Sequence, residues 1–92
     1  MSIQNLPILY IKAGCPWCHE ALSFFSDQGI DLDIQDVNKS AKYRSDMVTL
    51  TGQTKTPTFS FDDFVVADFD VSEFLAALKK SPQIRQRLGI KE

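Results

Sequence analysis

Two cysteines, Cys15 and Cys18, stand with only Pro16 and Trp17 between them, and this spacing constrains the chain more than any other feature of its sequence. Residues three apart lie side by side on one helical turn. Pro16 suits the first turn of a helix, where a backbone N–H has no partner to lose. Ala21, Leu22, Phe24 and Phe25 continue at helical spacing until Gly29 stops the run. Ahead of the motif, Leu6 to Ile11 reads as a strand, apolar on both faces as a strand covered by helices should be. Lys12 to Gly14 form the loop between them. The pair is therefore expected where a central strand gives way to a helix.

Ile30, Leu32, Ile34 and Val37 have polar residues between them, the period of a second strand. Asn38 or Ser40 can cap a second helix, whose Ala41, Arg44, Met47, Val48 and Leu50 follow a 3.6-residue pattern, with Gly52 placed for a left-handed C-cap. Thr58–Phe61 and Phe64–Ala67 are short aromatic and β-branched runs joined by Asp62 and Asp63, which predicts a tight antiparallel hairpin. Asp70 and Glu73 make a capping-box pattern ahead of Phe74, Leu75 and Leu78. Ser81 and Pro82 open a last helix, with Ile84 and Leu88 on one face and Gly89 at its end. The expected order is β-α-β-α-β-β-α-α. A right-handed crossover makes the first two strands parallel and the hairpin adds antiparallel ones, giving an α/β, thioredoxin-like, four-stranded mixed sheet flanked by helices. With 92 residues, one domain spanning 1–92 is expected.

Seven Phe, one Trp and two Tyr within a 43% hydrophobic composition supply a core and exclude intrinsic disorder. Ten Lys and Arg against twelve Asp and Glu leave a formal charge of -2 with no basic block, so nucleic acid is not an expected partner. No apolar run nears the roughly 20 residues that span a bilayer, and no membrane association is expected. Met1 to Asn5 lacks the positive charge of a secretory signal, which favours a cytoplasmic, reducing setting. A disulfide-stapled extracellular domain of this size carries about four to eight cysteines. Two cysteines closing so short a loop add little stability, and their role is read as reactive.

A thiolate, not a thiol, attacks a disulfide, and a free cysteine of pKa about 8.5 is only slightly ionised at neutral pH. At the helix entrance Cys15 meets unpaired N–H groups and the positive end of the macrodipole. Lys12, three residues earlier, adds a second positive field. Cys18, one turn further in, is expected to be less exposed and placed to break a mixed disulfide on Cys15. Cys15 to His19 also spells the attachment signature of c-type haem, but the preceding strand and the parallel sheet oppose it and leave His19 on the helix surface. A closed zinc site needs four ligands, whereas Cys15, Cys18 and His19 supply three on one turn, and no metal is expected.

The string Tyr10-x-Lys12-x-x-Cys15-Pro16-Trp17-Cys18-His19, followed by Thr56-Pro57 beyond Gly52, resembles the glutaredoxin family across nearly the whole chain. The resemblance implies a thiol-disulfide oxidoreductase with no tightly bound cofactor and with glutathione as co-substrate. In that family the position of Trp17 is most often Tyr, and Trp17 offers a larger stacking surface. The family's Thr-Val-Pro is matched by Lys55-Thr56-Pro57, which implies a cis Pro57 and a Thr56 whose backbone pairs with the cysteinyl part of glutathione. By the same resemblance Gln53 binds the glycine carboxylate and Asp70 the α-amino group of the γ-glutamyl end, while Lys12 serves both the thiolate and the ligand. The family's usual Gly-Gly is replaced by Ala67-Asp68-Phe69-Asp70, and Asp68 brings a negative charge close to an anionic ligand.

Three functions follow. The leading one is a monomeric, glutathione-dependent oxidoreductase that reduces disulfide-containing proteins or glutathione-mixed disulfides. The second is a dithiol electron carrier reduced by a flavin reductase, which Asp68 favours. The third is a non-catalytic [2Fe-2S] carrier, with Cys15 of two subunits and two glutathiones holding the cluster; in the family, the form of the motif containing Pro16 disfavours it.

Overall fold

The computed structural model describes residues 6–90, and the reading made on Met1 to Asn5 lies outside them. The elements are β1 (Ile8–Ile11), α1 (Pro16–Asp27), β2 (Asp33–Asp36), α2 (Ala41–Thr51), β3 (Thr58–Phe61), β4 (Phe64–Ala67), α3 (Val71–Lys79) and α4 (Pro82–Leu88). This is the expected order. The four strands form one sheet in the order β2-β1-β3-β4, with β1 parallel to β2 and antiparallel to β3, and with β3 antiparallel to β4. The β1–β3 register sets Tyr10 opposite Thr58. The loop leaving β1 toward Cys15 and the loop entering β3 through Thr56 therefore meet at the same end of the two central strands.

Alternation along the strands divides the interior in two. Leu9, Phe59 and Phe61 face Ala21 and Phe25 of α1 and Phe74 and Leu78 of α3, with Phe69 and Ile90 completing the cluster. Phe74 sits at its centre, its ring 4.9 Å from that of Phe59, 5.1 Å from Phe25 and 5.3 Å from Phe69. The first two contacts are edge-on, the geometry the aromatic quadrupole favours. On the opposite face, Tyr10 and Val37 pack with Met47 of α2.

Helix ends follow the local chemistry, with one exception. Ser40, not Asn38, caps α2, its Oγ accepting the Tyr43 N–H at 3.3 Å, and Gly52 ends the helix at φ 74. Both halves of the α3 capping box form: Asp70 Oδ1 accepts from the Glu73 N–H at 2.8 Å and Glu73 Oε1 from the Asp70 N–H at 3.0 Å. Ser81 makes no side-chain capping bond, so the start of α4 rests on Pro82 in its first turn.

Three expectations need correction. The first strand begins at Ile8, two residues later than the apolar run suggests. Pro7 has no N–H for the ladder, and only its carbonyl pairs, accepting from the Asp33 N–H at 2.8 Å. The second strand is confined to Asp33–Asp36, and its buried residue is Gln35, opposite Tyr10 under α2, while Ile34 is 50% exposed. Its position at the sheet edge leaves Ile34 only partly covered. Finally, α2 buries Met47 alone, with Val48 and Leu50 in solvent.

Candidate active site

Cys15 is the N-cap of α1, with extended backbone angles and its Sγ accepting the Cys18 N–H at 3.2 Å. Pro16 in the first turn forfeits no helical bond, so the helix opens directly at the sulfur. From the neighbouring loop the Thr56 hydroxyl donates to the same sulfur at 3.6 Å, and the Thr56 carbonyl accepts from the Cys15 thiol at 3.8 Å. Cys15 is half-buried, whereas Cys18, on the inward face of the helix, is 2% exposed. Both thiols are free.

Burial pushes the Cys15 thiol up. Hydrogen bonds from the Cys18 thiol, the Thr56 hydroxyl and the backbone N–H groups of Cys18 and Trp17 outweigh that effect and hold it below its ordinary value. Cys18 moves the other way, raised first by burial and then by its hydrogen bond to Cys15, against smaller contributions from Thr56 and the Lys12 backbone. Two thiols 3 residues apart are thus driven in opposite directions, one toward the nucleophilic thiolate and one toward the proton-bearing state.

The Thr56-Pro57 peptide bond is cis, and the Pro57 carbonyl accepts from the Phe69 N–H at 3.4 Å, which ties the approach to α3 against this loop. Beside the motif lies a groove of about 300 Å³ lined by Trp17, Asp68, Phe69, Asp70 and Glu73. Trp17 is 53% exposed on its rim. Asp68 adopts a left-handed φ of 53, and its Oδ2 lies 3.9 Å from Lys55 Nζ. A larger cleft, between the hairpin turn and α4, is lined by residues such as Asp63, Pro82 and Arg87 and holds no thiol.

The structure brings Cys15, Cys18, Thr56 and Pro57 together and sets Trp17 and Asp70 in the adjoining groove. Gln53 lies in the turn after α2, its N–H bonded to Thr51 Oγ1 at 3.2 Å, and is not in the groove lining. Lys12 acts on the pair through its backbone at Cys18. His19 is exposed on α1, and the described residues contain no group of three His, Cys, Asp or Glu side chains able to hold a metal. Sequence reasoning missed the Thr56 hydroxyl as a donor to sulfur and Lys55 as the partner of Asp68.

A thioredoxin-like sheet, with a cysteine pair opening its first helix and a cis-proline loop against the exposed sulfur, defines a thioredoxin-like protein of the dithiol redox class. Residues 8–66 match the family model for glutaredoxin, and the chain belongs to the glutaredoxin family. It is 30% identical over 54 residues to Glutaredoxin 3 of Escherichia coli strain K12, a match covering 59% of this chain and 65% of that protein. The match thus spans just under two thirds of the relative's length. Among solved structures, the thioredoxin-like protein BC3987 superposes with a TM-score of 0.70 at 25% identity, covering 77% of this chain and 97% of that one. A buckwheat glutaredoxin-glutathione complex shares the fold with a TM-score of 0.69 at 16% identity, over 95% of this chain and 83% of the other.

Proposed function

We propose that this protein is a glutathione-dependent thiol-disulfide oxidoreductase, acting as a monomer in a reducing, cytoplasmic setting on disulfide-containing proteins and glutathione-mixed disulfides. The observation that carries this reading is the asymmetry of the pair: the Cys15 sulfur is exposed enough to be reached and accepts the Cys18 N–H at 3.2 Å, while the Cys18 thiol is buried behind it. Cys15 thiolate attacks one sulfur of the substrate disulfide, forming a mixed disulfide and expelling the other half as a thiolate. Cys18 then loses its proton and attacks the Cys15 sulfur, releasing the second half as a thiolate and leaving the Cys15–Cys18 disulfide. Two glutathiones return the dithiol and leave as glutathione disulfide, so two electrons pass through each cycle. Alternatively, a glutathione thiolate resolves a glutathionylated Cys15 without Cys18.

The groove supports glutathione as the reductant. Trp17 offers a flat face for a peptide, Asp70 offers a carboxylate at the start of α3 for an amino group, and the Thr56 backbone lies beside the sulfur. The related buckwheat protein was solved as a glutathione complex. Gln53 and Lys12 complete this reading as contacts to the ligand's carboxylates. A coupled assay with glutathione, glutathione reductase and a glutathionylated peptide tests it. Turnover is expected with the wild type, no turnover with Cys15→Ser, and measurable turnover with Cys18→Ser. Equal loss in both variants would show that glutathione does not resolve the adduct.

A further inference from the structure

We propose that Asp68 is a charge-selecting residue of the disulfide site, favouring substrates whose disulfide is flanked by a cationic side chain and disfavouring those flanked by a carboxylate. The inference rests on the redox reading of Cys15 and adds to it a class of preferred substrate.

The groove lining contains three carboxylates, Asp68, Asp70 and Glu73, and no basic side chain. They are not equivalent. Asp70 and Glu73 are engaged in the reciprocal capping bonds of α3, where backbone N–H groups and the positive helix end offset their charge. Asp68 has no such compensation. Its contact with Lys55 is 3.9 Å long, and both side chains are at least half exposed, a pairing that water weakens to near nothing. Its place is nevertheless fixed. Phe69, the next residue, is buried in the core and bonded through its N–H to the Pro57 carbonyl. On the far side, Lys55 is the chain neighbour of Thr56, which touches the Cys15 sulfur. This weakly paired charge therefore stands on the path by which a substrate's flanking residues reach the sulfur, in a groove whose lining carries no basic side chain and whose nearest cation, Lys55, is exposed. A Lys or Arg next to the substrate disulfide gains there, and a Glu or Asp loses.

The test uses reduced protein in single turnover with three homodimeric peptide disulfides that differ only in the residue beside the cysteine, Lys, Gln or Glu, followed by acid quench and chromatography. The readout is the ratio of second-order rate constants, Lys over Glu, each normalised to the Gln peptide within the same variant. Asp68→Asn is the probe, since Asn tolerates the left-handed backbone. At low ionic strength the ratio is expected to fall about two- to fivefold in Asp68→Asn, as removal of one exposed charge allows. High salt is expected to shrink this difference. Lys55→Ala is expected to raise the ratio. Asp63→Asn, an equal change of net charge at the hairpin turn, is expected to keep the wild-type ratio. A ratio that Asp68→Asn leaves in place, or that Asp63→Asn moves equally, overturns the inference. Absence of reaction with all three peptides overturns the redox reading itself.

Discussion

On the α1 side of the site Cys15 is met by hydrogen-bond donors, the Thr56 hydroxyl and the N–H groups of Cys18 and Trp17, whereas on the α3 side Trp17 shares a groove with Asp68, Asp70 and Glu73. The donors are neutral and short in range, so they act on one sulfur and hardly depend on salt. The carboxylates carry full charge and act over a Debye length of about 8 Å at physiological ionic strength. Reactivity of the thiol and choice of what reaches it are therefore controlled from different walls, by interactions that different perturbations remove.

The largest expected effect removes the support common to both walls. Phe74 packs on Phe25 of α1 and on Phe69 next to Asp68, so Phe74→Ala should cost about 3–5 kcal/mol in urea unfolding. A cost below about 1 kcal/mol would show that the walls are held independently.

On the acidic wall, Asp70→Ala removes half of the capping box and should cost about 1 kcal/mol of stability while the pH midpoint of Cys15 alkylation holds. Ser81→Ala, at a helix start with no side-chain bond, should be nearly neutral in the same unfolding measurement.

On the donor wall, Thr56→Val should raise the Cys15 midpoint, measured as alkylation rate against pH, because it removes one of the hydrogen bonds that hold the thiol below its ordinary value. Lys12→Ala should move it less, because the Lys12 charge is not among the contacts that hold the Cys15 thiol down. A midpoint near about 8.5 in the wild type would contradict the activation itself. The sign also fixes stability. Because the folded Cys15 value is depressed, its thiolate adds stability above the unfolded thiol value, and that addition disappears as pH falls through the folded value. Cys18, raised, contributes below the unfolded value and loses its contribution as pH rises through the folded one.

A modest effect is expected on ligand affinity. Asp68→Gly should lower the glutathione KM by about two- to fivefold at low ionic strength, with the gain shrinking as salt rises, since one exposed like charge is removed. An unchanged KM at low salt would place Asp68 outside the path of glutathione.

Periodicity made the helices, the hairpin and the strand order legible, because Phe24, Phe25, Phe74 and the Phe61-to-Phe64 turn each combine burial with a local stop or cap. It misled at β2. There the apolar residue Ile34 sits half exposed and Gln35 is buried, because edge position and register with Tyr10 decide the face and neither is written in the local pattern. In the site, spacing alone exposed Cys15, Cys18 and the helix start. The Thr56 hydroxyl at sulfur and the Lys55–Asp68 contact join residues 41 and 13 positions apart, and only the sheet register and the Phe69–Pro57 bond bring them together.

Every donor that steadies the Cys15 thiolate loses its anion once sulfur is bonded to sulfur. These contacts therefore favour the reduced protein over the oxidised one and raise the reduction potential of the couple, by about 30 mV for each 1.4 kcal/mol. On the proposed redox role, the loop that favours the Cys15 thiolate would also make the protein a milder reductant, since its own disulfide would become easier to open. Removing the Thr56 hydroxyl should lower the potential at the same time as it thins the thiolate population at neutral pH, so driving force and readiness to react are coupled through one contact.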